Sequence, residues 1–546
     1  EWGEGNESPE LFNPSDLDTD QWVKALQDAG FKMVILTAKH HDGFCLWPTA
    51  TTTHSVASSP WLDGKGDIVR MLRKSCDKYG MKMGVYLSPW DRNAKCYGDS
   101  PAYNDMFAAQ LTELLSNYGR IDEVWFDGAC GEGPNGKKQI YDWQRFRKIM
   151  ETLQPEAVLA IMGDDVRWVG NERGQGRETE WSVTALTPGI YADATEANGR
   201  LGLTAMAKDL GSRELIARAE KLYWWPSEVD VSIRPGWFYH DSEAPKSLRE
   251  LAEIYLTSVG RNSVLLLNIP PDRKGHINGR DVARLRQWRN WIDNTFSNNM
   301  LDADGSTIKD GPVSVNCVVL GEDIDHGQRV EEFSVEALTA DGWKEVASGT
   351  TIGKKRILSF PGVRAEKLRL NVKSFRGDRH YAAISGAHMM TLPGDVPDVA
   401  ADYRAIPTDE WRFASLGDMW QNPRNAFDGD PSTLATTAPG RVNSEFVIDL
   451  GSEQTVSGFS YLPPEDAAAG RVFTYNFFTY DEPTRKWILQ PSANEFSNIT
   501  NNPIERNVYL AEPVTTRYVM LLPLREAEGG DKVSIAEFKL LTKIDN

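Results

Sequence analysis

The sequence predicts an α/β fold, with a (β/α)8-like barrel over residues 1–300 followed by two all-β sandwich domains over 301–400 and 405–546. Three observations carry this. Apolar strand-like runs alternate with amphipathic helix-like runs up to about residue 300. A glycine separates helix from strand at Gly30, Gly80 and Gly119, the place where a left-handed cap ends a helix. Beyond residue 300 the texture changes to short alternating stretches with turn residues between them.

The elements follow in order. Residues 16–30 put Trp22, Val23, Leu26 and Ala29 on one helical face, and FKMVILTAKHHDGF at 31–44 follows as an apolar strand. The pattern repeats with helix 67–80 and strand MKMGVYLSPW (81–90), then with helix 105–119 and strand IDEVWFDG. A helix over 139–153, a strand over 156–165 and a strand over 229–239 come next. Helix 248–260, strand 263–271 and helix 279–296 close the region. Apolar strands between amphipathic helices indicate a parallel sheet covered by helices. Six to seven such units favour a barrel over a doubly wound sheet. No GxGxxG opens a helix after the first strand, which argues against a dinucleotide fold. Residues 396–408 read as a linker between the two β-units.

At 546 residues the chain is too long for one ordinary core. Its net charge of -18, with no basic block, argues against nucleic acid as a partner. No apolar run is long enough for a membrane-spanning helix. The five cysteines, Cys45, Cys76, Cys96, Cys130 and Cys317, show no CxxC spacing, which argues against a zinc site or a disulfide framework. The 18 Trp suit carbohydrate stacking as well as a core.

Residues at the C-terminal ends of barrel strands face the active site. Here those ends carry Lys39, His40, His41 and Asp42; then Tyr86, Ser88, Trp90 and Asp91; then Asp127; then Asp164 and Asp165, with Glu172 beyond. Carboxylates, a His pair and aromatics at one mouth point to hydrolysis of a neutral polar substrate by paired carboxylates. Adjacent His40 and His41 on a strand should point to opposite sides, which disfavours a metal site. No GxSxG elbow offers a serine nucleophile.

The ordered set EWGEG (1–5), AKHHDGF (38–44), GVYLSPWD (84–91), VWFDG (124–128), WVGNE (168–172), SEVDVSIRPGWFY (227–239) and LLLNIPPDRKG (265–275) resembles glycoside hydrolase family 29, the α-L-fucosidases. WVGNE and SEVDVSIRPGWFYH look more like the subfamily acting on α-1,3/1,4-linked fucose of Lewis-type glycans. The resemblance implies a retaining exo-α-L-fucosidase with Asp127 as nucleophile and Glu172 as general acid/base. Glu178, Glu180 and Glu228 compete for the second role. His40, His41, Tyr86, Trp125, Glu1 and Trp2 are implied as fucose contacts. No cofactor for catalysis is expected; the expected partner is a fucosylated oligosaccharide, and the expected location is secreted or periplasmic in a bacterium. The family usually carries an HFG strand upstream of EWG, so an N-terminal piece is expected to be missing.

NAFDGDPSTLATT (425–437) and SEFVIDLG (444–451) resemble the discoidin-like (factor 5/8 type C) domain, as in carbohydrate-binding module family 32. That likeness implies a structural Ca²⁺ at Asp428, Asp430 and Thr433, since hard oxygen ligands suit the ion. A plain Asx turn is the alternative. For the whole chain, the competing reading is a catalytically inactive carbohydrate-binding protein on the same scaffold.

Overall fold

The computed structural model describes residues 3–396, 403–415, 417, 419–492, 494–496, 498–500 and 502–544. The first helix, α1 (Thr19–Asp28), starts where the Asp18 carboxylate accepts the Gln21 N–H, and it buries Trp22, Val23 and Leu26. Gly30 then turns the chain with φ 88° into strand β1 (Met33–Lys39). The same device repeats at α2 (Ile68–Tyr79), capped by Asp67 and ended by Gly80 at φ 68°. Strand β2 (Lys82–Leu87) follows.

Helix α3 (Ser100–Asn117) begins five residues before the expected start, because Pro101 sits in its first turn, where a missing N–H costs nothing. Gly119 (φ 71°) leads into the fully buried β3 (Glu123–Phe126). Helix α4 (Trp143–Leu153) and strand β4 (Val158–Ile161) complete a parallel sheet ordered β1-β2-β3-β4. A second parallel sheet joins β5 (Arg167–Trp168), β6 (Ser227–Ser232) and β7 (Val264–Asn268). A parallel bridge between Ala160 and Val166 connects the two sheets. Helices α5 (Leu248–Thr257) and α6 (Gly279–Phe296) pack behind β6 and β7, sharing a core with Val231, Ile233 and Leu267.

Where a (β/α)8-like barrel is expected, the structure has seven parallel strands in two sheets and no closed sheet among the described residues. Among the described residues no ladder joins β7 to β1. Residues 181–225 form an excursion that strand-helix alternation does not foresee. It is pinned by a short hairpin between Val183–Thr184 and Tyr223–Trp224, and its own core contains Leu186, Leu210, Leu215 and Trp225.

Residues 301–395 fold as two facing three-stranded antiparallel sheets around Val318, Leu320, Phe333, Val335 and Leu368. This sandwich grips the chain just after Glu172. Arg356 Nη1 donates to the Glu178 carbonyl at 2.9 Å, and the Arg356 guanidinium also pairs with the Glu178 carboxylate. Thr351 Oγ1 accepts the Glu180 N–H at 3.0 Å, and Gln328 bonds Ser182 N at 2.7 Å and Glu180 O at 2.8 Å.

The C-terminal unit stacks a seven-stranded sheet on a three-stranded one. Phe446, Phe459, Tyr475, Phe477 and Phe538 fill its core. The expected linker is only partly one. Residues 397–402 lie outside the described residues, whereas Tyr403–Ala405 pair as an edge strand with the final strand. All five cysteines are free thiols. Among the described residues no helix is long and apolar enough to cross a membrane.

Candidate active site

A cavity of about 890 Å³ runs along β1 and β7, past Met33, Leu36 and Leu265, to the C-terminal ends of the parallel strands, where His40, His41, Tyr86, Trp125, Asp127 and Glu172 line it. Glu1 and Trp2 lie outside the described residues.

Asp127 follows directly on β3, so a fully buried strand fixes its backbone. Its Oδ1 accepts the Ala129 N–H at 2.7 Å, and its Oδ2 accepts the Tyr86 hydroxyl at 2.9 Å. Tyr86 comes from the neighbouring β2 and stacks on Trp125, with centroids 5.2 Å apart. Burial and the facing Asp127 charge push the Tyr86 phenol well above its ordinary value, so it stays a donor.

The His pair departs from expectation. The two rings lie 4.0 Å apart and both face the cavity. The reason is local. Strand β1 ends at Lys39, and the chain turns through Gly43, whose N–H reaches the His40 carbonyl at 3.0 Å, so strand alternation has already stopped. Ser88 Oγ donates to the Trp90 carbonyl at 2.7 Å, so His41 Nδ1, 2.7 Å from Ser88 Oγ, is assigned the proton. His41 Nε2 then faces Asp127 Oδ2 at 3.9 Å. Burial, with Arg92 and Lys39 nearby, lowers His41 to about 3, so the ring is neutral. Burial and His41 likewise keep His40 neutral. Lys39 points the other way into the core, where it binds Asp91 at 3.1 Å and Gln110 at 3.0 Å.

Glu172 lies on the loop after β5. Burial pushes its carboxyl up to about 7, against a lowering hydrogen bond from Asn498, and the Asp127 charge adds to the rise. Asn498 Nδ2 donates to Glu172 Oε2 at 2.7 Å, and the Trp237 side chain also hydrogen-bonds the group.

The three competitors are otherwise engaged. Glu180 is buried against Arg167 and Arg177, and Glu178 pairs with Arg356 and Arg261. Glu228 lies beneath the pocket, where its Oε1 accepts the Trp125 indole N–H at 2.7 Å. Asp164 and Asp165 are structural: one holds Arg147 and Tyr191, the other the Leu159 N–H.

Sequence reasoning missed Asp230, which lines the cavity and accepts the Trp168 indole N–H at 2.8 Å. Burial, with Glu172 nearby, holds it well above the usual carboxylate range. The signal was present in SEVDVS, where Glu228, Asp230 and Ser232 alternate along one strand. Ser232 bonds Asn268 at 2.8 Å, and Asn268 holds the Trp237 carbonyl at 2.9 Å.

The residues expected to bind calcium do meet. Thr433 Oγ1 donates to Asp428 Oδ2 at 2.9 Å, and Asp430 N donates to Asp428 Oδ1 at 2.9 Å. The three side chains thus hold one another in an Asx-type turn, and among the described residues no group of three or more His, Cys, Asp or Glu gathers at the loop.

Residues 6–295 match the family profile described as Alpha-L-fucosidase, and residues 412–538 match the F5/8 type C domain. The chain belongs to the α-L-fucosidase family. It is 39% identical to Alpha-L-fucosidase 1 of Arabidopsis thaliana over 69% of this chain and 80% of that one. A Bacteroides ovatus protein, solved under a provisional alpha-L-fucosidase name, is 49% identical over 99% of this chain and 90% of its own, with a TM-score of 0.71. A glycoside hydrolase 29 family member from an unknown rumen bacterium is 35% identical over 99% of this chain and 93% of its own, with a TM-score of 0.64. The chain is thus a glycoside hydrolase whose family implies a fucosylated glycan substrate and whose chemistry needs no cofactor.

Proposed function

We propose that this α-L-fucosidase works with retention of configuration, with Asp127 as nucleophile and Glu172 as general acid/base. The observation that carries the reading is the contrast between two carboxyls at one cavity. Glu172 is pushed up to about 7, chiefly by burial, while Asp127 is held by the Tyr86 hydroxyl at 2.9 Å. A carboxyl that burial keeps protonated near neutral pH suits the acid, and one fixed at a strand end suits the nucleophile.

In the first step an Asp127 oxygen bonds to the anomeric carbon, the glycosidic C–O bond breaks, and Glu172 gives its proton to the departing oxygen. In the second, Glu172 takes a proton from water, the water oxygen bonds to the anomeric carbon, and the ester to Asp127 breaks. Retaining enzymes need their carboxyls roughly 5 Å apart. Neutral His40 and His41 suit hydrogen bonding to sugar hydroxyls, and Trp125 suits the apolar face of fucose. The scaffold is read as (β/α)8-type, because the polar groups gather at the C-terminal ends of seven parallel strands.

The likeness of WVGNE and SEVDVSIRPGWFYH supports α-1,3/1,4-linked fucose on Lewis-type glycans as the substrate, and such glycans fit an enzyme that is secreted or periplasmic. The test is fucose release from a Lewis-a trisaccharide and from an aryl α-L-fucoside, with the first-formed anomer followed by NMR. Retention, loss of release in Asp127→Ala and a bias toward the trisaccharide are expected. First-formed β-fucose, or full activity in Asp127→Ala, would overturn the mechanism.

A further inference from the structure

We propose that the C-terminal discoidin-like unit supplies a positioning residue to the active site, Asn498, whose amide fixes where Glu172 carries its proton. This rests on the reading of Glu172 as the acid/base.

Asn498 belongs to a different unit from Glu172, 326 residues away in sequence, yet its Nδ2 lies 2.7 Å from Glu172 Oε2. An amide N–H only donates. Oε2 must therefore accept in both protonation states, and in the neutral acid the proton sits on Oε1. The amide also favours the charged carboxylate, so it limits how far burial can raise the group.

Two features mark this contact as more than a chance touch. Loop asparagines commonly bond their own backbone, but the only hydrogen bond from the Asn498 side chain among the described residues is the one to Glu172, and its Oδ1 is buried without a partner. The residue also sits at φ 55°, a conformation that favours Asn and Gly, so the backbone is bent in the way that presents the amide.

The unit meets both loops that hold Glu172. On the loop after β5, Glu465 faces Arg173 at 3.8 Å. On the loop after β6, which carries Trp237, Tyr509 N donates to the Ser242 carbonyl at 3.0 Å, and burial pushes the Glu243 carboxyl up to about 7 against the opposing charge of the buried Arg506.

The experiment measures kcat/KM across pH for the full chain, with a dinitrophenyl α-L-fucoside, whose leaving group needs no proton, and with a fucosyl disaccharide, whose leaving group does. Asn498→Gly suits the positive φ and removes the amide; Asn498→Asp keeps the size and removes the donor at neutral pH. Both should lose about tenfold or more on the disaccharide and less than about twofold on the aryl substrate. The alkaline limb of the disaccharide profile should move up from about pH 7, because a donor to the charged carboxylate is gone.

Glu172→Gln serves as the reference. If it discriminates between the two substrates and folded Asn498→Gly does not, or if Asn498→Gly slows both substrates equally with the limb unmoved, the positioning role is overturned. If Glu172→Gln itself fails to discriminate, the acid/base reading falls and the inference with it.

Discussion

The indole N–H of Trp125 donates to Glu228 Oε1 at 2.7 Å, and behind it Glu228 shares a hydrogen bond with Glu123. Both carboxyls are buried beneath Trp125, and we expect the pair to hold one proton between them. Burial and the facing Glu228 charge push Glu123 above its ordinary 4.5. A carboxyl raised on folding contributes stability below its unfolded value that is lost as pH rises toward its folded one. Urea unfolding at pH 5 and pH 8 should show wild type losing more than Glu123→Gln, up to about 1.4 kcal/mol per pH unit within that window. Parallel losses would mean that no proton is shared.

Tyr86→Phe removes the hydroxyl that bonds Asp127 Oδ2 while keeping the ring stacked on Trp125. A hydrogen bond to a charged group contributes about 1.5–3 kcal/mol, so kcat/KM for an aryl fucoside should fall roughly ten- to hundredfold. The melting temperature should hardly move. Unchanged kinetics would remove Tyr86 from the machinery.

The general acid must hold its proton for the first step. With Glu172 at about 7, kcat/KM for a saccharide substrate should be full below that pH and decline above it. In Glu172→Gln this limb should vanish, with the residual rate flat through pH 8. A limb that survives the substitution belongs to another group, and the neutral Asp230 would be the next to test.

Lys39 and Asp91 are buried together, 3.1 Å apart, at the root of the His40–His41 turn. Lys39→Met leaves the Asp91 carboxylate without its cation. Breaking one side of such a pair costs about 3–5 kcal/mol, which should show as a lower urea midpoint with an unchanged slope. Stability within about 0.5 kcal/mol of wild type would mean that Asp91 finds other partners.

Much of this molecule can be read from local sequence, because local rules govern those parts. Asp18 and Asp67 begin helices, Gly30 and Gly80 end them, and the acid placed after VWF sits at a strand end. What escaped depends on distance or on a change of rule. The His pair defied strand alternation because the strand stops one residue before it. Glu123 and Glu228 meet only when β3 and β6 are brought to one interior, and the partner of Glu172 arrives from another unit altogether. The 181–225 excursion lacked the alternating pattern, and its order comes from a small core of its own.

The middle sandwich holds the segment after Glu172 by backbone and side chain at Glu178, Glu180 and Ser182. Heat should therefore silence the enzyme before the cavity at the strand ends itself comes apart. Once the sandwich yields, the arm bearing Glu172 loses its anchor, so inactivation on warming should follow the middle domain's transition. Reinforcing a part of the protein that never touches fucose would then lengthen the enzyme's working life.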